Sequence, residues 1–81
     1  MVKVIKIAKE LGENVVLRIK LRKYLESINE PQVILDFSNV EFVSRSCMDE
    51  YLRFKRENNF SEENVNPSVR LMMEAVDKSR T

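Results

Sequence analysis

The sequence predicts a small α/β domain in which a sheet of about three strands packs with three helices, in the order strand, helix, strand, helix, strand, helix. Two observations support this prediction. A continuous apolar run from Val33 to Leu35 follows Pro31 and is typical of a buried strand. On both sides of that run, apolar residues recur at helical spacing between charged residues, which indicates amphipathic helices packed against a sheet.

The first part of the chain predicts a strand, a turn and a helix. Residues Val2 to Ile7 alternate imperfectly between apolar and polar, which favours a strand, and Gly12 and Asn14 mark a turn. Residues 16–28 are predicted to form an amphipathic helix, and Pro31 ends it because the residue before a proline disfavours helix. Its apolar stripe consists of Leu17, Leu21, Tyr24, Leu25 and Ile28.

The second part of the chain begins with a strand at 32–37, which we expect to be central, most buried and covered on both faces. Ser38 and Asn39 then favour a turn, and residues 60–65 predict a short, poor strand. The helix at about 46–58 should bury Cys47, Met48, Tyr51 and Leu52. In the last helix Asn66 suits the cap and Pro67 the first position, followed by the stripe Val69, Met72, Met73 and Val76.

The start of the second long helix carries a capping pattern. Ser46 is followed three residues later by Asp49, a Ser-x-x-Asp variant of the capping box. We therefore expect the Ser46 side chain to accept a backbone N–H bond from the first turn. Asp49 and Glu50 would complement the positive end of the helix dipole and form a salt bridge to Arg18.

The composition excludes several classes of site. The 81 residues suit one domain, and 14 basic against 13 acidic residues leave a net charge of +1, which gives no reason to expect nucleic acid or an anionic membrane as a partner. The chain has no histidine, one cysteine and one glycine. These counts exclude a structural zinc site, an internal disulfide and a glycine-rich phosphate loop. We expect no cofactor and no enzymatic activity, and a cytoplasmic location.

Four segments in the right order carry a resemblance to a known family. They are Arg18 with Leu21 and Leu25, the run Asp36-Phe37-Ser38-Asn39-Val40, the run Ser46-Cys47-Met48-Asp49-Glu50, and Asn66 followed by Val69-Arg70-Leu71-Met72. Over roughly residues 12–76 the chain resembles the anti-sigma factor antagonist (STAS) domain, and more closely a STAS-like family of uncharacterised function. The resemblance implies a regulatory protein–protein interaction module. It also implies a candidate partner, a histidine-kinase-like ATPase or an anti-sigma-type protein.

The resemblance further implies that Ser46 is a candidate phosphoacceptor, because antagonist proteins are phosphorylated on a serine at the start of this helix. The residues near Ser46 depart from the family pattern: its acidic residue and glycine are Ser44 and Cys47 here. Asp49 and Glu50 also place negative charge within one turn of the serine, where it would repel phosphate. We favour Ser46 as a plain helix cap and keep the phosphoacceptor as the alternative.

We place the candidate partner-binding surface at the edge where the helices begin, because helix N-termini lie at the carboxyl ends of parallel strands. This contact edge comprises Arg18, Ser44, Arg45, Ser46, Asp49 and Glu50. The alternative is a nucleic-acid-associated regulator that uses the basic residues Arg18, Lys20, Arg22 and Lys23 of the first long helix. An enzyme built on Cys47 or on the two carboxylates has least support, since no histidine could act as base. The sequence leaves a homodimer open, and Phe54 and Phe60 would mark a partner site if both were exposed.

Overall fold

The computed structural model describes residues 2–79, which form five strands and four helices. The strands are β1 (Val2–Lys6), β2 (Asn14–Val15), β3 (Gln32–Asp36), β4 (Phe42–Val43) and β5 (Phe60–Glu63). The helices are α1 (Ile7–Leu11), α2 (Arg18–Glu26), α3 (Arg45–Glu57) and α4 (Pro67–Ser79). The predicted α/β class is confirmed, with a main sheet of three strands and three long helices. The short helix α1 and a second sheet of two strands are additions to the prediction.

Strand β3 is the centre of the main sheet, as predicted, and β1 and β5 pair with it in parallel on either side. Its Val33 and Leu35 side chains are each 1% exposed, and burying a side chain of this kind contributes about 1.5–3 kcal/mol. The expectation that both faces are covered is corrected, because Ile34 is only half-buried and its neighbour Val4 is 52% exposed. The short chain leaves the outer face of the main sheet partly open.

The three long helices contribute to one hydrophobic core with the inner face of the sheet. The stripe predicted for α3 is confirmed, because Cys47, Met48, Tyr51 and Leu52 are all buried. The other helices bury Leu21 and Leu25 from α2, and Val69, Met73 and Val76 from α4. Within residues 2–79, no helix is both long enough and apolar enough to cross a membrane.

The chain repeats one structural unit although its sequence does not repeat. A long strand, a short strand and a helix occur in this order as β1, β2 and α2, with α1 between the two strands, and again as β3, β4 and α3. The third unit has β5 and α4, with residues 64–66 in place of the short strand. Long strands pair with long strands and short with short, so corresponding parts of successive units lie side by side.

The loop after β3 is organised by the Asp36 carboxylate. Its Oδ1 accepts hydrogen bonds from the Ser38 backbone N–H at 2.9 Å, the Ser38 hydroxyl at 2.6 Å and the Asn64 amide at 3.0 Å. Hydrogen bonds from the Ser38 and Asn64 side chains, together with the Ser38 N–H, lower the pKa of Asp36 to about 2. Asn39 and Asn64 both adopt positive φ, at 67° and 57°, a conformation that asparagine tolerates well. This part of the resemblance therefore coincides with a structural turn.

Asn66 caps α4, as predicted. Its Oδ1 accepts the Val69 N–H at 2.8 Å, and its amide donates to the Val40 carbonyl at 2.8 Å. The same side chain therefore accepts a free N–H of the first helical turn and connects the helix to the loop after β3.

Helix α3 is fastened to the edge strand β5 through the half-buried Glu62 carboxylate. The Tyr51 hydroxyl donates to Glu62 at 2.6 Å, and the Lys55 ammonium donates to the same carboxylate at 2.8 Å. The Tyr51 ring also meets Phe37 edge to face at 5.9 Å between centroids. Burial, assisted by the Glu62 carboxylate, raises the pKa of Tyr51, so the phenol stays a donor in this network.

Candidate functional site

The second sheet brings the beginnings of α2 and α3 together. Strand β2 pairs in parallel with β4, with Val15 opposite Val43. The Ser44 N–H then donates to the Val15 carbonyl at 2.9 Å. Because α2 begins at Arg18 and α3 at Arg45, shortly after these paired strands, the two helix N-termini lie at one edge of the molecule.

Ser44, not Ser46, caps α3, and the prediction is corrected in this respect. Ser44 has extended backbone with ψ of 159°, and its Oγ accepts the Cys47 N–H at 3.2 Å. The bond from Ser44 to β2 holds this residue at the end of the strand pairing. The helix therefore starts at Arg45, and Ser46 becomes its second residue. Asp49 and Glu50 lie beyond the first turn as a result.

The Ser46 hydroxyl is exposed and available at this edge. It lies 3.3 Å from the Ser44 Oγ, so one of these hydroxyls can donate to the other. A group at the second position of a helix lies close to the positive end of the helix dipole. The helix N-terminus therefore favours an anion on Ser46, whereas Arg18, which lines the same groove, is already paired with Glu50.

An open groove of about 620 Å³ runs beside Ser46 along the start of α2. We call it the Ser46 groove. Its apolar side chains are largely exposed: Val16 is 50%, Leu17 is 64% and Ile19 is 67% exposed. The cations Lys20 and Lys23 line it together with Arg18.

The three apolar residues of the Ser46 groove were not predicted as site residues. Leu17 was assigned to the buried stripe of the first long helix, but it precedes the first helical turn and is exposed. The position of Ile19 in the helical pattern could have identified it as a contact residue. It lies two residues before the buried Leu21, hence on the opposite side of the helix. An isoleucine on the polar face of an amphipathic helix is a candidate contact residue.

Glu50 lies beneath the surface, at 3% exposure, between α2 and α3. Arg18 Nε donates to its Oε1 at 2.8 Å, Arg22 Nη2 donates at 3.4 Å, and Arg53 Nη1 lies at 3.9 Å. Burial alone would raise the pKa of Glu50, but the hydrogen bonds from the arginines outweigh it and lower that pKa. The same contact raises the pKa of Arg18. The predicted salt bridge between Arg18 and Glu50 is confirmed. Glu50 was also placed on the contact edge, but its side chain is buried in a clamp between two helices and is not presented to a partner.

The other charged residues of the contact edge, Arg45 and Asp49, do not line the Ser46 groove. Arg45 Nη2 reaches the Ser79 hydroxyl at the end of α4, at 3.3 Å, and it does not line the Ser46 groove. Asp49 is half-buried, and its charge contributes to raising the pKa of Arg18. Of the six predicted residues, Arg18 and Ser46 therefore share the groove, and Ser44 contacts Ser46. Glu50 is bonded to Arg18 but does not line the groove, and neither do Asp49 and Arg45.

The remaining candidate residues are packed into the core. The Cys47 side chain is 0% exposed, so its thiol faces no substrate. Phe60 is 8% exposed and Phe54 is half-buried, so the two do not form an exposed aromatic pair. Among residues 2–79, no group of three or more His, Cys, Asp or Glu side chains is arranged to hold a metal ion.

Comparisons with known proteins give no match. No family model matches the chain, and neither the curated proteins nor the solved structures contain a match to it.

Proposed function

We propose that this chain is a non-enzymatic, STAS-like interaction module that binds a protein partner through the Ser46 groove. The observation that carries this proposal is the exposure of Val16, Leu17 and Ile19 along one open groove. Leaving three large aliphatic side chains in water forfeits the free energy that each would contribute if it were buried. A contiguous apolar patch bordered by charges is typical of a surface that a partner covers.

The way the groove is built supports the same function. Ser46 and Arg18 come from two different helices, and the pairing of β2 with β4 fixes the starts of both. Glu50 then ties the two helices together through Arg18 and Arg22. A preformed surface loses little conformational entropy when a partner binds. These features favour binding of a partner to the Ser46 groove without rearrangement of the two helices.

The STAS-like relationship rests on the sequence motifs and the order of the elements. Within it, we propose that the partner is a histidine-kinase-like ATPase or an anti-sigma-type protein, and that the pair works in the cytoplasm. Ser46 is proposed as a phosphoacceptor at the same surface. Its exposure and its place at a helix N-terminus support that role, and the cap function that competed with it belongs to Ser44.

A nucleic-acid-associated function has less support. Two of the four cations of the basic helix, Arg18 and Arg22, donate to the buried Glu50. The remaining two, Lys20 and Lys23, lie beside exposed aliphatic side chains. Phosphate backbones are bound by runs of unpaired cations, and this helix offers only a short one.

Site-directed photo-crosslinking tests the proposed function. The photoreactive amino acid p-benzoylphenylalanine is placed at position 19 in the groove or, as a matched control, at position 71 on α4. Ile19 and Leu71 are both 67% exposed on long helices, so the two variants report position and not exposure. The full chain is expressed in its native host, irradiated, and isolated under denaturing conditions for mass spectrometry.

The expected result is one discrete protein adduct from position 19 and none from position 71. Circular dichroism is used beforehand to check that both variants keep the helix content of the unmodified chain. Equal adducts from both positions, or crosslinks to nucleic acid from position 19, would contradict the proposal.

A further inference from the structure

The chemistry of the Ser46 groove selects among protein partners. Its side chains are aliphatic, cationic or hydroxyl, and no acidic residue lines it. Within residues 2–79, neither Lys20 nor Lys23 forms a salt bridge, whereas Arg18 is held by Glu50. The groove therefore presents two available ammonium groups beside three exposed aliphatic side chains.

This excess of positive over negative side chains is local to the groove. The whole chain carries 14 basic and 13 acidic residues, and the neighbouring cleft between α2 and α3 mixes both signs, since Glu26, Glu57 and Arg53 line it together. A cationic groove on a nearly neutral protein attracts a carboxylate-bearing ligand to one place, because complementary charge guides both orientation and approach.

The extent of the groove fits a short helical segment. Its lining residues on α2 run from Arg18 to Lys23, a little under two turns or roughly 9 Å, and Val16 and Leu17 precede them. An amphipathic helix laid in such a groove places an apolar residue every three or four positions on the aliphatic side chains. Its flanking carboxylates would then reach Lys20 and Lys23.

We propose that the Ser46 groove binds an acidic amphipathic helix of the partner protein. This inference rests on the proposed function and narrows it to one class of ligand. Leu17 and Ile19 receive the apolar residues of that helix, and Lys20 and Lys23 receive its carboxylates. An anionic bilayer is a weaker candidate, because the net charge of the chain is only +1 and two lysines attract such a surface little.

The test selects ligands directly on the intact 81-residue chain. A phage-displayed library of helical peptides, with acidic, basic and neutral residues equally represented on the polar face, is panned against the chain. Selected peptides are synthesised and their affinities are measured by fluorescence anisotropy. The variants are Ile19→Ser, the matched control Leu71→Ser, and the charge reversal Lys20→Glu with Lys23→Glu.

We expect the selected peptides to be acidic, with apolar residues at spacings of three and four. Ile19→Ser should weaken their binding at least tenfold, and Leu71→Ser should leave it unchanged. The charge reversal should abolish binding of the acidic peptides and admit basic ones. Circular dichroism of each variant serves as the control for folding.

Two outcomes would overturn the inference. One is selection of peptides with no acidic excess, or with affinities that Ile19→Ser does not change. The other is binding of the chain to vesicles of phosphatidylglycerol and phosphatidylcholine that Ile19→Ser removes and Leu71→Ser keeps, which would assign the groove to a membrane. If photo-crosslinking from position 19 still captures a discrete protein in the first case, the proposed function stands and only the acidic helix is refuted.

Discussion

Glu50 provides the sharpest test of how α2 is held against α3. The change Glu50→Gln keeps the shape of the side chain and removes its charge. Two hydrogen bonds from arginines are affected, at 2.8 and 3.4 Å, and a bond of this type contributes about 1.5–3 kcal/mol. The arginine side chains are 39% and 44% exposed, so water replaces part of the lost contact. We therefore expect a loss of about 1–2 kcal/mol.

For a domain of this size, that loss lowers the melting temperature by about 4–16 °C. The assay is thermal unfolding followed by circular dichroism at pH 7, with the exposed Glu74→Gln on α4 as control. A Glu50→Gln melt that coincides with the control would refute the clamp.

The pH dependence of the Glu50→Gln effect gives a second check. The folded state lowers the pKa of Glu50, so the stability that its charge contributes is present above the unfolded value of about 4.3. That contribution is lost as the pH falls below this value. The gap between the unmodified chain and Glu50→Gln should therefore narrow on acidification from pH 6. A gap that stays constant down to pH 3 would mean that packing, and not charge, is responsible.

Further predictions concern the cap, the β3 loop and the thiol. Ser44→Ala should cost on the order of 1 kcal/mol in urea unfolding, and Ser46→Ala should stay within about 0.5 kcal/mol of the unmodified chain; the reverse order would restore Ser46 as the cap. Asp36 should titrate by carbon-detected NMR near its lowered pKa of about 2, so its contribution to stability is present above the unfolded value of about 3.9 and is lost as the pH falls towards 2. Titration near 3.9 would contradict the loop geometry. Cys47, at 0% exposure, should resist iodoacetamide in the folded chain and react in urea.

The main architecture could be predicted from the sequence because strands, helix faces and caps are encoded by residues close together in the chain. Continuous apolarity at Val33 to Leu35 identified the central strand, and the stripe beginning at Cys47 and Met48 identified the buried face of α3. The asparagine before Pro67 was recognised as a cap for the same reason. Each of these features depends on neighbours within a few positions along the chain.

The cap of α3, the short strands and the burial of Glu50 could not be predicted from neighbouring residues in the sequence. The Ser-x-x-Asp spacing indicated Ser46 as the cap. Ser44 caps the helix instead, and its N–H bond to the distant Val15 carbonyl fixes it at the end of a strand pair. Strands β2 and β4 have only two residues each, too few for a periodic pattern. The burial of Glu50 depends on arginines 28 and 32 positions away. Tertiary contacts of this kind decide which polar residues remain accessible.

The central claim is that a protein partner occupies the Ser46 groove. An amide chemical-shift map tests it most directly: the isotopically labelled full chain is titrated with the protein captured from position 19. We predict that the large shifts are confined to residues 16–23 and 44–46. Shifts centred instead on Val2, Val4 and Ile34, across the partly open face of the main sheet, would contradict the claim.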